Sequence, residues 1–101
     1  VDDICEGVFN ILIKESKNKK KYKVYNIGNS KPVELMDFIN EIENCLGIKA
    51  IKNFMPMQKG DVYTTFADTS KLELDYDYKP STDIKEGVKL FIEWYKMYYK
   101  I

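Results

Sequence analysis

The group of residues best suited to chemistry in this 101-residue chain is Pro56-Met57-Gln58-Lys59-Gly60-Asp61. A glycine in a turn lets backbone approach a ligand, and the Gln amide, Lys ammonium and Asp carboxylate put donors and an acceptor within four residues. The same residues also make an ordinary polar surface turn, so composition alone leaves both readings open. Glu73, Asp75 and Asp77 place three acids within five residues near a helix end. That arrangement suits either a hard cation or a solvated terminus. Lys17, Lys19, Lys20, Lys21 and Lys23 can meet an anionic surface or simply keep a connecting loop in water.

Much familiar chemistry is missing. The chain has no histidine, which removes the commonest base near neutral pH and the commonest zinc ligand. All sixteen basic residues are lysine, so no side chain offers the planar fork that grips a carboxylate or phosphate in two places. Neither a glycine-rich phosphate loop, a nucleophile elbow nor a metal-ligand cluster can be found. The residues therefore do not describe an autonomous enzyme. Sixteen acids balance the sixteen lysines, and the pI is near 6.5, which argues against a protein that holds nucleic acid by neutralising phosphates. No apolar run reaches the ~20 residues that span a bilayer, and the acidic opening VDDICEGVFN is unlike a signal peptide. A cytoplasmic protein without membrane or nucleic-acid partners is the expectation. Cys5 and Cys45 lie in apolar periodic segments and read as buried free thiols.

The elements that must position these residues follow from periodicity. Ile4, Val8, Ile11 and Leu12 share one helical face, predicting a helix over residues 2–17 with Asp2 as its cap. Val24-Tyr25-Asn26-Ile27 closes a short buried strand over 22–27. Pro32 suits the first turn of a second helix, whose apolar face is Leu35, Phe38, Ile39, Ile42 and Leu46, and Gly47 stops it. Residues 48–57 read as an edge strand interrupted by Pro56, and 58–61 as a turn. Asp68 caps a short helix over 69–75. Asp83 with Glu86 makes an approximate capping box for a last helix carrying Ile84, Val88, Phe91, Ile92 and Tyr95. Trp94, Tyr95, Tyr98 and Tyr99 make that helix aromatic on more than one side, as in a core or a docking face.

The fold class this implies is α/β, or α+β for the isolated chain, with four helices and two or three short strands in one domain. One strand with both faces apolar needs a sheet to enclose it, and two short strands cannot supply one. The chain therefore reads as part of a larger protein or as half of an assembly that completes the sheet.

The order VDDI, YNIGNSKPVELMDFI, MPMQKGDV, ADTSKL and YKPSTDIKEGVKLFIEWY resembles the C-terminal third of an extended short-chain dehydrogenase/reductase. Within that superfamily it is most similar to nucleotide-sugar 4-epimerases, especially the UDP-glucuronate 4-epimerases of capsule and surface polysaccharide synthesis. The resemblance covers essentially the whole chain. It implies a C-terminal substrate-binding portion over 1–101, with the Rossmann cofactor domain, its NAD and the catalytic Tyr-x-x-x-Lys pair lying before Val1. The nearest match here, Tyr95 to Tyr99, fails at the last position. The resemblance further implies an NAD-dependent parent, a fragment inactive alone, and a UDP-sugar as its partner. The missing Rossmann domain, or a second copy in a homodimer, would be the other.

In the wider family the turn matched by Gln58-Lys59-Gly60-Asp61 carries an arginine two residues before the glycine, meeting the diphosphate, while the aspartate contacts the ribose. Gln58 stands in the arginine's place, as in the glucuronate epimerases, and Asp61 matches directly. Both are expected to bind substrate. Leu74-Asp75-Tyr76-Asp77-Tyr78 departs from the family's Leu-Gly-Tyr. A related dehydratase or reductase, and a stand-alone binding or assembly module, are the alternatives.

Overall fold

The structure is a computed structural model describing residues 1–101. Its regular elements are four helices, α1 (Asp2–Ile13), α2 (Leu35–Leu46), α3 (Ser70–Tyr76) and α4 (Ile84–Tyr99). There is no β-strand, so the expected α/β or α+β class is wrong for this chain, which is all-helical. The physical reason lies in the segments expected to be strands. Residues 22–27 and 48–57 are not helical but make no backbone hydrogen bond to a neighbouring segment, and a strand exists only as a member of a ladder. The chain divides into two compact units, residues 1–32 with 65–82, and residues 33–64 with 83–101.

In the first unit, Leu72 of α3 is fully buried and is joined by Tyr76 and Tyr78, with Ile11, Tyr25 and Ile27 packed against them. Gly7 is buried because α1 lies close to this cluster. A Cβ there would come within 3.0 Å of a Tyr78 ring carbon and 3.1 Å of Ile27. Asp3 ties α1 to the residues after α3, since its carboxylate accepts the backbone N–H groups of Ser81 and Thr82 and its carbonyl accepts the Tyr78 hydroxyl. The helix stops at Ile13, short of the expected residue 17. Beyond it Ser16 accepts the Asn18 N–H and Asn18 accepts the Lys20 N–H, local bonds that compete with helix continuation. Asp2 lies inside the first turn with Val1 at the cap position, and Cys5, expected buried, is exposed.

In the second unit α2 packs against α4, burying Val88 and Ile92, and the Lys96 ammonium reaches the Cys45 carbonyl at 3.2 Å. Gly47 ends α2 with φ of 71°, a left-handed conformation for which glycine carries no Cβ penalty. Pro32 precedes the helix; extended backbone at Glu34 delays its start until Leu35. The Asp83 carboxylate accepts the Glu86 N–H at 2.8 Å, so the capping read from sequence stands.

Candidate functional site

Gln58 to Asp61 form a closed turn, with the Asp61 N–H donating to the Gln58 carbonyl at 3.3 Å. Gly60 has φ of 95°, close to what the third residue of a type II turn requires, and nothing lies within 4 Å of where its Cβ would stand. The turn is exposed, flanked by Met57 and Val62, which are also exposed. Sequence reasoning thus located a turn whose glycine is conformationally required, with the Gln58 amide and Asp61 carboxylate at its two ends. Its backbone is open and its side chains are unburied.

A second polar cluster, in the first unit, joins Lys23, Tyr25 and Asp75. Asp75 is 8% exposed, and its Oδ2 accepts hydrogen bonds from the Lys23 ammonium and, at 2.7 Å, from the Tyr25 hydroxyl. The Lys23 nitrogen also stands 5.4 Å from the centre of the Tyr25 ring, which packs edge-to-face with Tyr76, ring centres 5.5 Å apart. The Lys23 bond and then the Tyr25 bond hold the Asp75 carboxyl below its usual range. Burial, reinforced by Asp75, pushes the Tyr25 phenol up. The Lys23 and Tyr25 bonds to Asp75 clamp the 22–27 segment onto α3. An open groove of about 510 Å³ lies beside it, lined by Tyr25, Asn26, Ile27, Thr65, Phe66 and Ala67.

The three acids near the end of α3 are not one site. Asp75 is spent on Lys23 and Tyr25, Asp77 pairs at the surface with Lys17 at 2.6 Å, and no group of three or more His, Cys, Asp or Glu residues is gathered as metal ligands. Of the five lysines in the basic run, Lys17 and Lys23 are therefore engaged within the unit. Sequence reasoning missed Glu43, buried in the second unit and held by Lys52, by the Ala50 N–H at 2.9 Å and by Lys49 at 3.0 Å. Those bonds lower its carboxyl to about 2. The available signal was its register, four residues after Ile39 and three before Leu46, on the apolar face of α2.

No protein-family model matches this chain. Among individual proteins it is 44% identical to Protein CapI of Staphylococcus aureus over 99% of its own length. It is 46% identical over 78% of its length to a probable UDP-glucuronate 4-epimerase of Rhizobium meliloti. Its backbone superposes with a TM-score of 0.80, at 28% identity over 97% of the chain, on the UDP-glucuronic acid 4-epimerase of Bacillus cereus. The chain is a relative of the UDP-glucuronate 4-epimerases. It spans only 34% of CapI, 23% of the Rhizobium protein and 31% of the Bacillus chain. The Bacillus epimerase was solved with UDP-4-deoxy-4-fluoro-glucuronic acid and NAD, which establishes both kinds of ligand for that relative.

The residues of this chain do not fit a dinucleotide. A Rossmann cradle needs a strand leading through closely spaced glycines into a helix N-terminus. Here Gly28-Asn29-Ser30 is preceded by unpaired backbone and is followed by non-helical residues as far as Glu34. No part of an NAD site is assigned to it. Nor is any helix long and apolar enough to cross a membrane.

Proposed function

We propose that this chain is the substrate-binding portion of a UDP-glucuronate 4-epimerase, an NAD-dependent enzyme converting UDP-glucuronate to UDP-galacturonate for surface or capsular polysaccharide synthesis. The observation that carries the proposal is the fold match across 97% of the chain to an epimerase holding a UDP-sugar analogue. The cofactor and its hydride chemistry belong to a Rossmann domain outside residues 1–101, and this chain alone turns over no substrate.

Within that reading the 58–61 turn meets the nucleotide. Asp61 accepts a hydrogen bond from a ribose hydroxyl, while the Gln58 amide donates to the diphosphate. Gln58 is uncharged, so it orients the diphosphate without neutralising it. Gly60 leaves the backbone bare where a ligand must come close. Calorimetric titration of the chain with UDP-glucuronate tests these roles. Losing one such hydrogen bond costs ~1–2 kcal/mol, so Asp61→Ala should weaken binding by about five- to thirtyfold and Gln58→Ala by less. UDP-glucuronate binding that neither substitution alters would overturn the assignment of both residues.

A further inference from the structure

From Gly47, at the end of α2, to Thr64 the chain carries three cations, Lys49, Lys52 and Lys59, and a single acid, Asp61. Two of the three lysines are already neutralised within the second unit. The buried Glu43 carboxylate holds Lys49 on one oxygen, at 3.0 Å, and Lys52 on the other. Lys59 differs from both. It is exposed and forms no ion pair, not even with Asp61 two residues further on. The bond from the Asp61 N–H to the Gln58 carbonyl sets Lys59 at the second position of the turn, between the Gln58 amide and the bare backbone of Gly60. The turn therefore carries a compact positive charge on a flexible stem, beside a neutral donor and a backbone that a ligand can approach closely.

We propose that Lys59 supplies this chain's positive charge to the diphosphate of the bound nucleotide, so that the turn selects a nucleoside diphosphate over the uncharged nucleoside. The inference rests on the reading of the 58–61 turn as the nucleotide site. Gln58 orients a diphosphate without neutralising it, and the chain holds no arginine, so the charge has to come from a lysine. Lys49 and Lys52 are engaged by Glu43, which leaves Lys59 as the cation of this segment with no acid beside it. The Asp61 carboxylate makes the requirement sharper. Without Lys59 the turn would be net negative and would repel the phosphates of the ligand whose ribose Asp61 meets, whereas with Lys59 the two charges balance and each faces its own part of the nucleotide.

Calorimetric titration of the chain with UDP and with uridine tests this, because the two share base and ribose and differ in the diphosphate. Lys59→Gln should weaken UDP binding about tenfold and reduce its sensitivity to salt, since an exposed charge contact is screened by ions. Uridine affinity should not change. Lys59→Arg keeps the charge and should bind UDP as the parent does, and the exposure of Lys59 lets both variants keep the helical circular dichroism. UDP affinity untouched by Lys59→Gln but weakened by Asp61→Ala would overturn the proposal and leave the reading of the turn standing. Equal weakening of UDP and uridine by Lys59→Gln would also overturn it, because the residue would then shape the turn instead of meeting phosphate. A chain that binds neither ligand, or binds UDP with no response to Lys59→Gln or Asp61→Ala, would overturn the proposal together with the reading on which it rests.

Discussion

At Glu43 and Asp75 a carboxylate is taken out of water and surrounded by lysine ammonium groups and further donors, and each responds to acid in a calculable direction. Lys52, the Ala50 N–H and Lys49 lower the Glu43 carboxyl from 4.5 to about 2. A group whose folded value is depressed stabilises fully above its unfolded value and loses that contribution as pH falls through the folded one. Glu43 therefore supports the second unit above pH 4.5 and ceases to do so between there and about pH 2. Asp75 acts in the same sense for the first unit. Glu43→Gln should lower the thermal midpoint at pH 6 and flatten the decline of that midpoint between pH 4.5 and 2. Equal slopes for the parent and the variant would show that the Glu43 contacts are not formed. Leu72 sets the apolar side of the balance. It is the fully buried side chain, and Leu72→Ala should cost about 2–5 kcal/mol in denaturant unfolding because the Tyr76 and Tyr78 rings cannot collapse into the space.

Among the elements, those defined by local rules were legible in the sequence. The apolar spacing of α2 and α4, the stop at Gly47 and the Asp83 cap are written in residues within one or two turns of each other. Ending α2 with Gly47 has a measurable consequence. Since nothing lies within 4 Å of a Cβ there, Gly47→Ala should cost ~1–2 kcal/mol through backbone conformation alone, seen as a shift of the unfolding midpoint with an unchanged denaturant slope. The strands were misread for a physical reason. Periodicity and β-branched content report that residues 22–27 suit a pleated position, but they cannot report whether a neighbouring strand exists, and without one Tyr22 and Val24, expected buried, are exposed. The Lys23–Tyr25–Asp75 clamp was equally hidden, because its members are some fifty residues apart. Cys5 was misplaced because residence in an apolar helix does not say which face points inward.

For the whole molecule, the comparisons define a relationship to proteins about three to four times its length. The chain carries an aromatic face on α4. Phe91, Trp94, Tyr95, Tyr98 and Tyr99 run along one helix, with the Trp94 and Tyr98 rings stacked at 5.3 Å and the Tyr95 and Tyr99 rings tilted against each other at 4.5 Å, yet all remain at least a third exposed. What residues 58–61 contribute to the candidate site, a turn with the Gln58 amide and Asp61 carboxylate at its ends, was readable from composition and spacing. Their assignment to a nucleotide sugar came from likeness to a family. The most direct test is to assign the amide resonances of the chain and titrate it with UDP and then UDP-glucuronate. Shifts concentrated at residues 57–62, saturating with UDP and enlarged by the sugar, are the result expected of a preformed half-pocket. Saturable shifts located elsewhere, or a dispersed spectrum that neither ligand moves, would contradict the claim that this turn carries the nucleotide site.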